Sequence, residues 1–332
     1  MEKKEKVVAF VAGCSGGHIT PAITLAQTQY RKYKSIFFTR NHPLDKSILE
    51  KKESSTIFLS LINIPRKNLL LYPKFLVQFF IAFAISFKTL LQHRPTSIIS
   101  TGSYIALPVC FAGWLLRIPI ELYEVNVEPG QAIKLLSYVA SKINICFTAT
   151  QKFFPGAVCK LTEYPVRFTN KDKKLKKNYS KHKFDPARKT LFVVGGSQGS
   201  VFLNDLTKQL ILANAAIKTQ WQVIHQTGND NSINWKEWYK ELGIPAITFS
   251  YYSDIADYYN IADLIITRAG AGTLAEISFF EKPCIIIPLS TNTTQHQKLN
   301  ALALVQEKPK QFYICEQGKK TAAKVSQLLS VY

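Results

Sequence analysis

The chain has 332 residues, of which 47% are hydrophobic and 19% are charged. This composition excludes an intrinsically disordered protein, and the length is sufficient for two domains of ordinary size. Six cysteines without a C-x-x-C spacing argue against a zinc site and predict reduced thiols in a cytosolic protein.

The net charge of +20 is distributed unevenly along the chain. Residues 1–160 have 20 lysines and arginines against 8 acidic residues, residues 161–190 have 10 against 3, and residues 191–332 have 12 against 11. The asymmetry predicts an anionic partner for the first half, either a membrane surface or a nucleic acid. A basic face that is merely solvated is the alternative.

Short apolar runs alternate with helical stretches in both halves, beginning with a strand at 7–12 and a helix at 21–32. This alternation predicts an α/β protein with parallel sheets flanked by helices. The further predicted strands are 35–38, 97–100, 118–124, 143–148, 191–194, 221–226, 247–249, 264–267 and 284–288. The basic stretch 168–189 predicts the connection between two domains, 1–163 and 164–332.

A glycine-rich turn follows the first predicted strand of each half. The glycines are Gly13, Gly16 and Gly17 in the first turn and Gly195, Gly196 and Gly199 in the second. A strand, a glycine turn and the start of a helix present main-chain N–H groups at the positive end of the helix dipole. Neither turn has the dinucleotide spacing G-x-G-x-x-G, but two of them predict two doubly wound domains that bind one anionic ligand.

An apolar segment of thirteen residues lies between Lys74 and Lys88. A helix that crosses a bilayer needs about 20 apolar residues, so we expect this segment not to cross. The preceding Arg66 and Lys67 favour an interfacial helix on acidic lipid headgroups, and a fully buried helix is the alternative. We expect one face to be buried and the other to touch a membrane.

Two segments of the second half have the chemistry of a sugar-nucleotide site. In T-R-A-G-A-G-T-L-A-E-I, Gly270 and Gly272 allow close approach of a ligand, and Glu276 can accept hydrogen bonds from ribose hydroxyls. An ordinary turn with a solvated glutamate is the alternative. A loop after the strand 284–288 has neutral side chains suited to sugar hydroxyls: Gln295, His296, Gln297 and Asn300.

Seven motifs occur in the order typical of the MurG-type transferases of peptidoglycan synthesis, and the chain resembles that family over nearly its whole length. The motifs are A-G-C-S-G-G-H-I-T-P-A (12–22), T-G-S-Y (101–104), E-V-N-V-E-P-G (124–130), Y-P-V-R (164–167), G-G-S-Q-G (195–199), R-A-G-A-G-T-L-A-E (268–276) and Q-H-Q-K-L-N-A (295–301). The resemblance implies a glycosyltransferase B fold with two Rossmann-like domains and the donor in a cleft between them.

The same resemblance implies an inverting transfer of GlcNAc from UDP-GlcNAc to the lipid-linked muramoyl-pentapeptide, lipid I, giving lipid II. It further implies a peripheral protein at the cytoplasmic face of the cell membrane. Its partners would be the anionic lipid surface and other cell-wall synthesis proteins, and no nucleic acid. No D-x-D-like metal motif is evident, so neither a metal nor a cofactor is expected.

The resemblance also assigns individual residues. His18 would assist deprotonation of the acceptor hydroxyl, with a structural hydrogen bond to its loop as the alternative, and Glu124 is a second candidate base. The implied substrate-binding residues are Ser15, Gly16, Gly17, Asn126 and Arg167 in the first half and hinge, and Ser197, Tyr252, Ala271, Gly272, Thr273, Glu276 and Gln297 in the second half. Arg167, the loop amides and the helix termini would neutralise the departing diphosphate.

The chain departs from the family pattern at Cys14, where a glycine is usual, at Ser15, where threonine is common, and at Val125, which replaces an amide. The region after Asn300 is shorter than the resemblance implies, which leaves a catalytically silent scaffold open. A related UDP-sugar transferase with another lipid acceptor, such as a diacylglycerol, is also open. A nucleic-acid-binding protein is disfavoured because the basic residues lack interleaved aromatic side chains.

Overall fold

Two parallel sheets organise the chain. The computed structural model describes residues 5–13, 15–49, 55–65, 68–175, 177–196, 199–230, 232–251, 254–289 and 295–331. They fall into unit 1, Met1–Arg167, and unit 2, Phe168–Tyr332.

Unit 1 is a seven-stranded sheet covered by helices. Its strands are β1 (Val7–Val11), β2 (Lys34–Arg40), β3 (Ser55–Leu59), β4 (Ser97–Ser100), β5 (Ile120–Glu124), β6 (Lys142–Ile145) and β7 (Cys159–Leu161). Its helices are α1 (Gly16–Gln27), α2 (Pro43–Leu49), α3 (Tyr72–His93), α4 (Ala106–Leu115) and α5 (Gln131–Leu136), with 3₁₀ turns at Leu69–Leu71 and Thr148–Phe153. All pairings are parallel, in the order β3-β2-β1-β4-β5-β6-β7. The order reverses between β1 and β4, so the turns after these two strands lie side by side.

The helix α1 begins five residues earlier than predicted. Proline favours the first turn of a helix, and the prediction therefore started at Pro21. In the structure Ser15 is the N-cap, with an extended backbone (φ −164°), and Pro21 is buried inside the helix. The predicted start was wrong, and the correction places the helix N-terminus directly behind the glycine turn.

The helix α3 has 22 residues and extends beyond both ends of the thirteen-residue apolar segment between Lys74 and Lys88. By length and composition it meets the requirement for a membrane-crossing helix, which is weak evidence because core helices of soluble proteins also meet it. The predicted reason for excluding a crossing, insufficient length, was wrong.

One side of α3 packs on the unit. Its buried residues are Ala82, Ser86, Thr89 and Leu90, and partly buried phenylalanines recur at every fourth position: Phe75, Phe79, Phe83 and Phe87. On the other side large apolar side chains are exposed, and we call these the apolar face of α3: Leu76, Val77, Phe80, Ile81, Ile85 and Leu91. The expectation of a buried face is confirmed.

Unit 2 repeats the architecture with six strands. They are β8 (Lys189–Val194), β9 (Trp221–Gln226), β10 (Ala246–Phe249), β11 (Leu264–Thr267), β12 (Cys284–Ile286) and β13 (Phe312–Ile314). The helices are α6 (Asn170–Lys173), α7 (Val201–Ala213), α8 (Ala215–Gln220), α9 (Trp235–Glu241), α10 (Ala256–Ile261), α11 (Ala271–Phe279), α12 (Gln295–Glu307) and α13 (Thr321–Leu329), with a 3₁₀ turn at Ser180–His182. The parallel order β10-β9-β8-β11-β12-β13 reverses between β8 and β11.

The basic stretch 168–189 belongs to unit 2. The Phe168 ring lies 5.9 Å from the Tyr259 ring and 5.1 Å from the Phe280 ring. The Asn260 side chain donates a hydrogen bond of 2.7 Å to the carbonyl oxygen of Asp172. These contacts attach the stretch to α10 and α11.

Because the stretch 168–189 belongs to unit 2, its basic residues count toward the net charge of that unit. Lys173 and Lys177 form ion pairs with Glu281 (2.8 Å) and Asp263 (3.6 Å) of the same unit. Counted by units, residues 1–167 have 21 basic against 9 acidic residues (+12), and residues 168–332 have 21 against 13 (+8). The asymmetry between the two halves is therefore smaller than the sequence blocks indicated.

The glycine turn after β8 has no room for a side chain at Gly195. A Cβ atom there would lie 2.5 Å from the carbonyl carbon of Gly199 and 2.6 Å from the nitrogen of Ser200. Because both are backbone atoms that cannot rotate away, we expect Gly195→Ala to lower the free energy of unfolding of unit 2 by about 3 kcal/mol.

The matched control is Gly270→Ala, since a Cβ at Gly270 meets nothing within 4 Å and φ is −67°. Urea unfolding followed by tryptophan fluorescence reports mainly on unit 2, which has three of the four tryptophans. Equal midpoints for the two variants would contradict the prediction.

Candidate functional site

The predicted residues Ser15, Gly16 and Gly17 lie together at the carboxyl end of β1. The carbonyl oxygen of Ser15 accepts hydrogen bonds from the N–H groups of His18 (3.1 Å) and Ile19 (3.2 Å), which closes the first turn of α1. Gly16 and Gly17 are the first two helical residues, so their N–H groups have no acceptor within the helix. This end of unit 1 is therefore a donor-rich, electropositive surface. Cys14 lies outside the described residues.

His18 is held by the turn after the neighbouring strand β4. Its Nδ1 lies 2.7 Å from the carbonyl oxygen of Thr101, and the Thr101 hydroxyl donates to the carbonyl oxygen of His18 over 2.7 Å. A carbonyl oxygen only accepts, so Nδ1 has the proton and Nε2 of the neutral ring keeps its lone pair. Gly102, at φ 107°, is required because a Cβ would lie 3.1 Å from the imidazole Cε1. The predicted structural bond of His18 exists, and it leaves Nε2 as the basic nitrogen.

Glu124 shapes the loop that follows β5. Its Oε1 accepts from the backbone N–H (2.9 Å) and side-chain amide (3.2 Å) of Asn126, and its Oε2 accepts from the N–H of Gly130 (3.1 Å). Glu124 is only 3% exposed, and this burial raises the pKa of its carboxyl group to about 7 although the hydrogen bonds act in the opposite direction. Because both oxygens bond within the loop, the geometry favours a positioning role over that of a base. The side chain of Val125, at the departing position, is buried.

Three predicted residues are not placed with these groups. Arg167 is half-buried and is the last residue of unit 1. Ser197 and Tyr252 lie outside the described residues, and the roles of all three stay predictions. Within the described part of the chain, no three histidine, cysteine or acidic side chains are arranged to hold a metal ion.

In unit 2 the glycine turn after β8 is bonded to the end of β9. The N–H of Gly195 donates to Oε1 of Gln226 (3.1 Å), and Nε2 of Gln226 donates to the carbonyl oxygen of Gly196 (2.6 Å). Gly199, at φ 74°, packs so closely that a Cβ would lie 2.6 Å from Cα of Gly228. Sequence reasoning missed Gln226, because a glutamine inside a strand gives no signal of this contact.

The second predicted cluster forms the start of α11. The predicted residues in its first turn are Ala271, Gly272 and Thr273. One turn further on, Glu276 accepts a hydrogen bond of 2.9 Å at Oε2 from the hydroxyl of Tyr259. Tyr259 is fully buried and stacks on Phe280 with ring centres 4.9 Å apart. A rigid buried phenol therefore orients the half-buried carboxylate, and sequence reasoning missed it.

The third cluster is a helix rather than the predicted loop. Gln297 lies in the first turn of α12, and its Oε1 accepts from the N–H of Leu289 (3.2 Å), just after β12. Asn300 is fully buried and donates to the carbonyl oxygen of Ala269 (3.5 Å). The expectation that Asn300 binds sugar hydroxyls was wrong, because its side chain faces the protein interior.

Arg268 links three segments at this edge of the sheet. Its Nε donates to the hydroxyl of Ser200 (3.0 Å), and one terminal nitrogen donates to the carbonyl oxygen of Ile287 (3.1 Å) and to Oε1 of Gln317 (2.8 Å). The guanidinium lies 4.9 Å from the ring centre of Phe202 and is 8% exposed. Burial lowers its pKa to about 10, so it is charged at neutral pH. This arginine is the first residue of the motif 268–276, and its pattern predicted no role for it.

Both units match domains of one enzyme family. The glycosyltransferase family 28 N-terminal domain matches residues 8–145, and the glycosyltransferase family 28 C-terminal domain matches residues 190–330. The chain belongs to glycosyltransferase family 28.

Two relatives that are similar to this chain over most of its length share the same name. The proteins from Myxococcus xanthus and Pelagibacter ubique are both named UDP-N-acetylglucosamine–N-acetylmuramyl-(pentapeptide) pyrophosphoryl-undecaprenol N-acetylglucosamine transferase. The first is 30% identical over 90% of this chain and 77% of its own length. The second is 32% identical over 89% of this chain and 81% of its own length.

Solved structures share the fold. MurG of Acinetobacter baumannii has a TM-score of 0.74 at 23% identity, covering 98% of this chain and 90% of its own. The UDP co-structure of MnaA from S. aureus has a TM-score of 0.66 at 11% identity, covering 98% and 88%. The predicted glycosyltransferase B fold, with two doubly wound domains, is confirmed.

In this family 28 chain a buried polar network supports the glycine turn of unit 2. The amide nitrogen of Asn204 donates to the carbonyl oxygen of Thr227 (3.0 Å) and to the carboxylate of Asp230 (2.7 Å). Its amide oxygen therefore accepts from Nε2 of His225 (2.9 Å), and Nδ1 of His225 accepts from the Tyr239 hydroxyl (3.0 Å). Both imidazole nitrogens are thus used with the ring neutral, and burial lowers the pKa of His225 to about 3.

This histidine predicts an acid-sensitive stability. The unfolded chain binds a proton near pH 6.5 and the folded chain near pH 3, so the contribution of His225 is complete above pH 6.5 and is lost as the pH falls. We expect the melting temperature to fall between pH 7 and 4, and to fall less steeply in His225→Gln. Calorimetric scans across that range measure both slopes.

The control for this prediction is His93→Gln, at an exposed position in α3. Its slope should match that of the wild type. The same slope in His225→Gln and in the wild type would contradict the role given to the buried ring.

Proposed function

We propose that this protein transfers GlcNAc from UDP-GlcNAc to lipid I, the undecaprenyl-pyrophosphoryl muramoyl-pentapeptide, and so forms lipid II. One observation carries the proposal: relatives at 30–32% identity over nine-tenths of the chain have the name of this transferase. The geometry is compatible, since each unit presents a glycine turn and a helix N-terminus at the reversal of its strand order.

Unit 2 binds the donor in this proposal. The carboxylate of Glu276, held at one oxygen by Tyr259, accepts hydrogen bonds from the ribose hydroxyls. The first turn of α11 offers N–H groups to the diphosphate, because Gly270 precedes it in an extended conformation and leaves the approach open. Gln297 binds hydroxyls of the sugar from the first turn of α12.

Unit 1 presents the acceptor and the base. Nε2 of His18 removes the proton of the acceptor hydroxyl as its oxygen bonds to the anomeric carbon of GlcNAc. The bond from that carbon to the diphosphate breaks at the same time, its electron pair stays on UDP, and the configuration inverts. The amides of Gly16 and Gly17 and the guanidinium of Arg167 stabilise the negative charge.

Turnover tests this assignment directly. The purified chain, given UDP-GlcNAc and a short-chain lipid I analogue, should release UDP and form the disaccharide product. His18→Ala should lower kcat by about 100-fold or more with little change in KM for UDP-GlcNAc, because the general base acts on the acceptor. Coupled UDP release and mass spectrometry of the lipid measure both quantities.

His93→Ala, the loss of an exposed histidine, should retain wild-type kcat. UDP release with a diacylglycerol but not with the lipid I analogue would favour the other lipid acceptor. No turnover with either would favour a silent scaffold, and an unchanged kcat in His18→Ala would reject the base.

We further propose that unit 1 binds the cytoplasmic surface of the membrane through the apolar face of α3. All residues of that face except Leu91 lie between Lys74 and Lys88, which can contact acidic headgroups. The buried side of α3 packs on α4, where a Cβ on Gly113 would lie 3.8 Å from the Leu90 side chain, and Trp114 of α4 is half exposed. An apolar helix face bordered by lysines and an exposed tryptophan is typical of interfacial binding. Association with other cell-wall synthesis proteins stays a prediction.

A charge on the apolar face should release the protein from lipid. In the double variant Phe80→Asp, Ile81→Asp, at positions 65% and 53% exposed, we expect binding to fall at least tenfold. Co-sedimentation with phosphatidylglycerol–phosphatidylcholine vesicles measures the partition coefficient. Val201→Asp is the control, because that side chain is also exposed (63%) but belongs to unit 2. Equal partitioning of the two variants would reject this surface.

A further inference from the structure

Arg268 is a buried positive charge whose hydrogen-bond partners among the described residues are all neutral. A hydroxyl, a carbonyl oxygen and an amide oxygen accept its hydrogen bonds, from Ser200, Ile287 and Gln317. Among the described residues no carboxylate lies within ion-pair distance of it. Removing a guanidinium from water without a counter-ion costs free energy. The folded state is therefore destabilised by this charge unless an anion binds near it.

The position of Arg268 indicates which anion does so. Ser200 is the N-cap of α7, and its hydroxyl accepts from the N–H of Leu203 (3.4 Å). Gly270, two residues after Arg268, is the N-cap of α11. The guanidinium therefore contacts the N-cap of α7 (13 residues), and Arg268 is two residues before the N-cap of α11 (9 residues). The N-terminal ends of both helices are electropositive, as is the guanidinium.

We propose that Arg268 is a positioning residue whose fixed charge attracts the diphosphate of the donor nucleotide. Its three hydrogen bonds hold the ends of the segments after β8, β11 and β12. Its charge acts from 3.0 Å beside the N-cap of α7, in an interior where screening by salt is weak. This inference rests on the proposed function, because it requires a nucleotide diphosphate as ligand.

A merely structural arginine exists in the same unit and provides the matched control. Arg188 is half-buried just before β8, and it donates to the carbonyl oxygens of Lys218 (3.3 Å) and Trp221 (3.4 Å). Its acceptors are also neutral, but it lies at the amino end of the strand, the opposite edge of the sheet. Removing its charge leaves the glycine-rich edge unchanged.

The test compares ligands that differ only in phosphate charge. Isothermal titration calorimetry gives Kd for uridine, UMP and UDP with the wild type and with Arg268→Met, Arg268→Lys and Arg188→Met. In Arg268→Met the affinity for UDP should fall at least tenfold, that for UMP less, and that for uridine less than threefold. Arg268→Lys keeps the charge and should keep the wild-type ratio of UDP to uridine affinity within threefold, and Arg188→Met should keep all three values.

Each outcome decides the inference. Equal losses for uridine, UMP and UDP in Arg268→Met would show a structural role and overturn it. Should Arg268→Met fail to fold, Arg268→Lys decides, since loss of the UDP preference despite the retained charge also overturns it. A wild type that binds no UDP would reject the proposed function, whereas UDP binding that Arg268→Met leaves unchanged would reject only this inference.

Discussion

One constraint recurs in both units: a side chain from the segment that follows one central strand bonds to the segment that follows its neighbour. The two strands are those between which the strand order reverses, so their following turns leave the sheet in different directions. In unit 1 the bond joins His18 to Thr101, and in unit 2 it joins Arg268 to Ser200. Glycine turns have few side chains of their own to fix them. These bonds therefore determine how the main-chain N–H groups are presented.

At these edges the side chains with proposed functions are half-buried, and the partners that orient them are fully buried. His18 and Glu276 are each half-buried, and Thr101 and Tyr259, which bond to them, are at most 1% exposed. A buried partner loses little further conformational entropy and is shielded from water, so the bond holds the functional group in one orientation. Glu124 resembles the orienting groups in its burial and in its bonds to the loop, and its role as a base stays a prediction.

The sequence was sufficient for the fold class, for the central strands and for most of the glycine turns, because those depend on local patterns of apolar residues and glycine. It was not sufficient for the edge strands β3, β7 and β13, which have three to five residues; β3 and β7 are also only partly buried. It missed Gln226, Tyr259 and Arg268, since their partners lie 17 to 68 residues away along the chain. The predicted role of Asn300 failed for a similar reason. A buried asparagine and a ligand-binding one look the same until the neighbouring carbonyl is known.

The composition of α3 permits both a membrane-crossing helix and a helix packed on the protein, and its contacts distinguish the two. Its 22 residues satisfy the requirement for a span, but Gln78 accepts the N–H of Ile62 (2.9 Å), and Ala82 and Leu90 belong to the core of unit 1. A transmembrane position would break that bond and separate α3 from the core of unit 1. Lipid would then cover the apolar residues of the helix, but the apolar residues of the core that α3 had covered would be exposed to water. The face that remains available is the outward one. The attachment of α3 to the core of unit 1 on one side therefore supports the proposed contact with the membrane interface rather than a crossing.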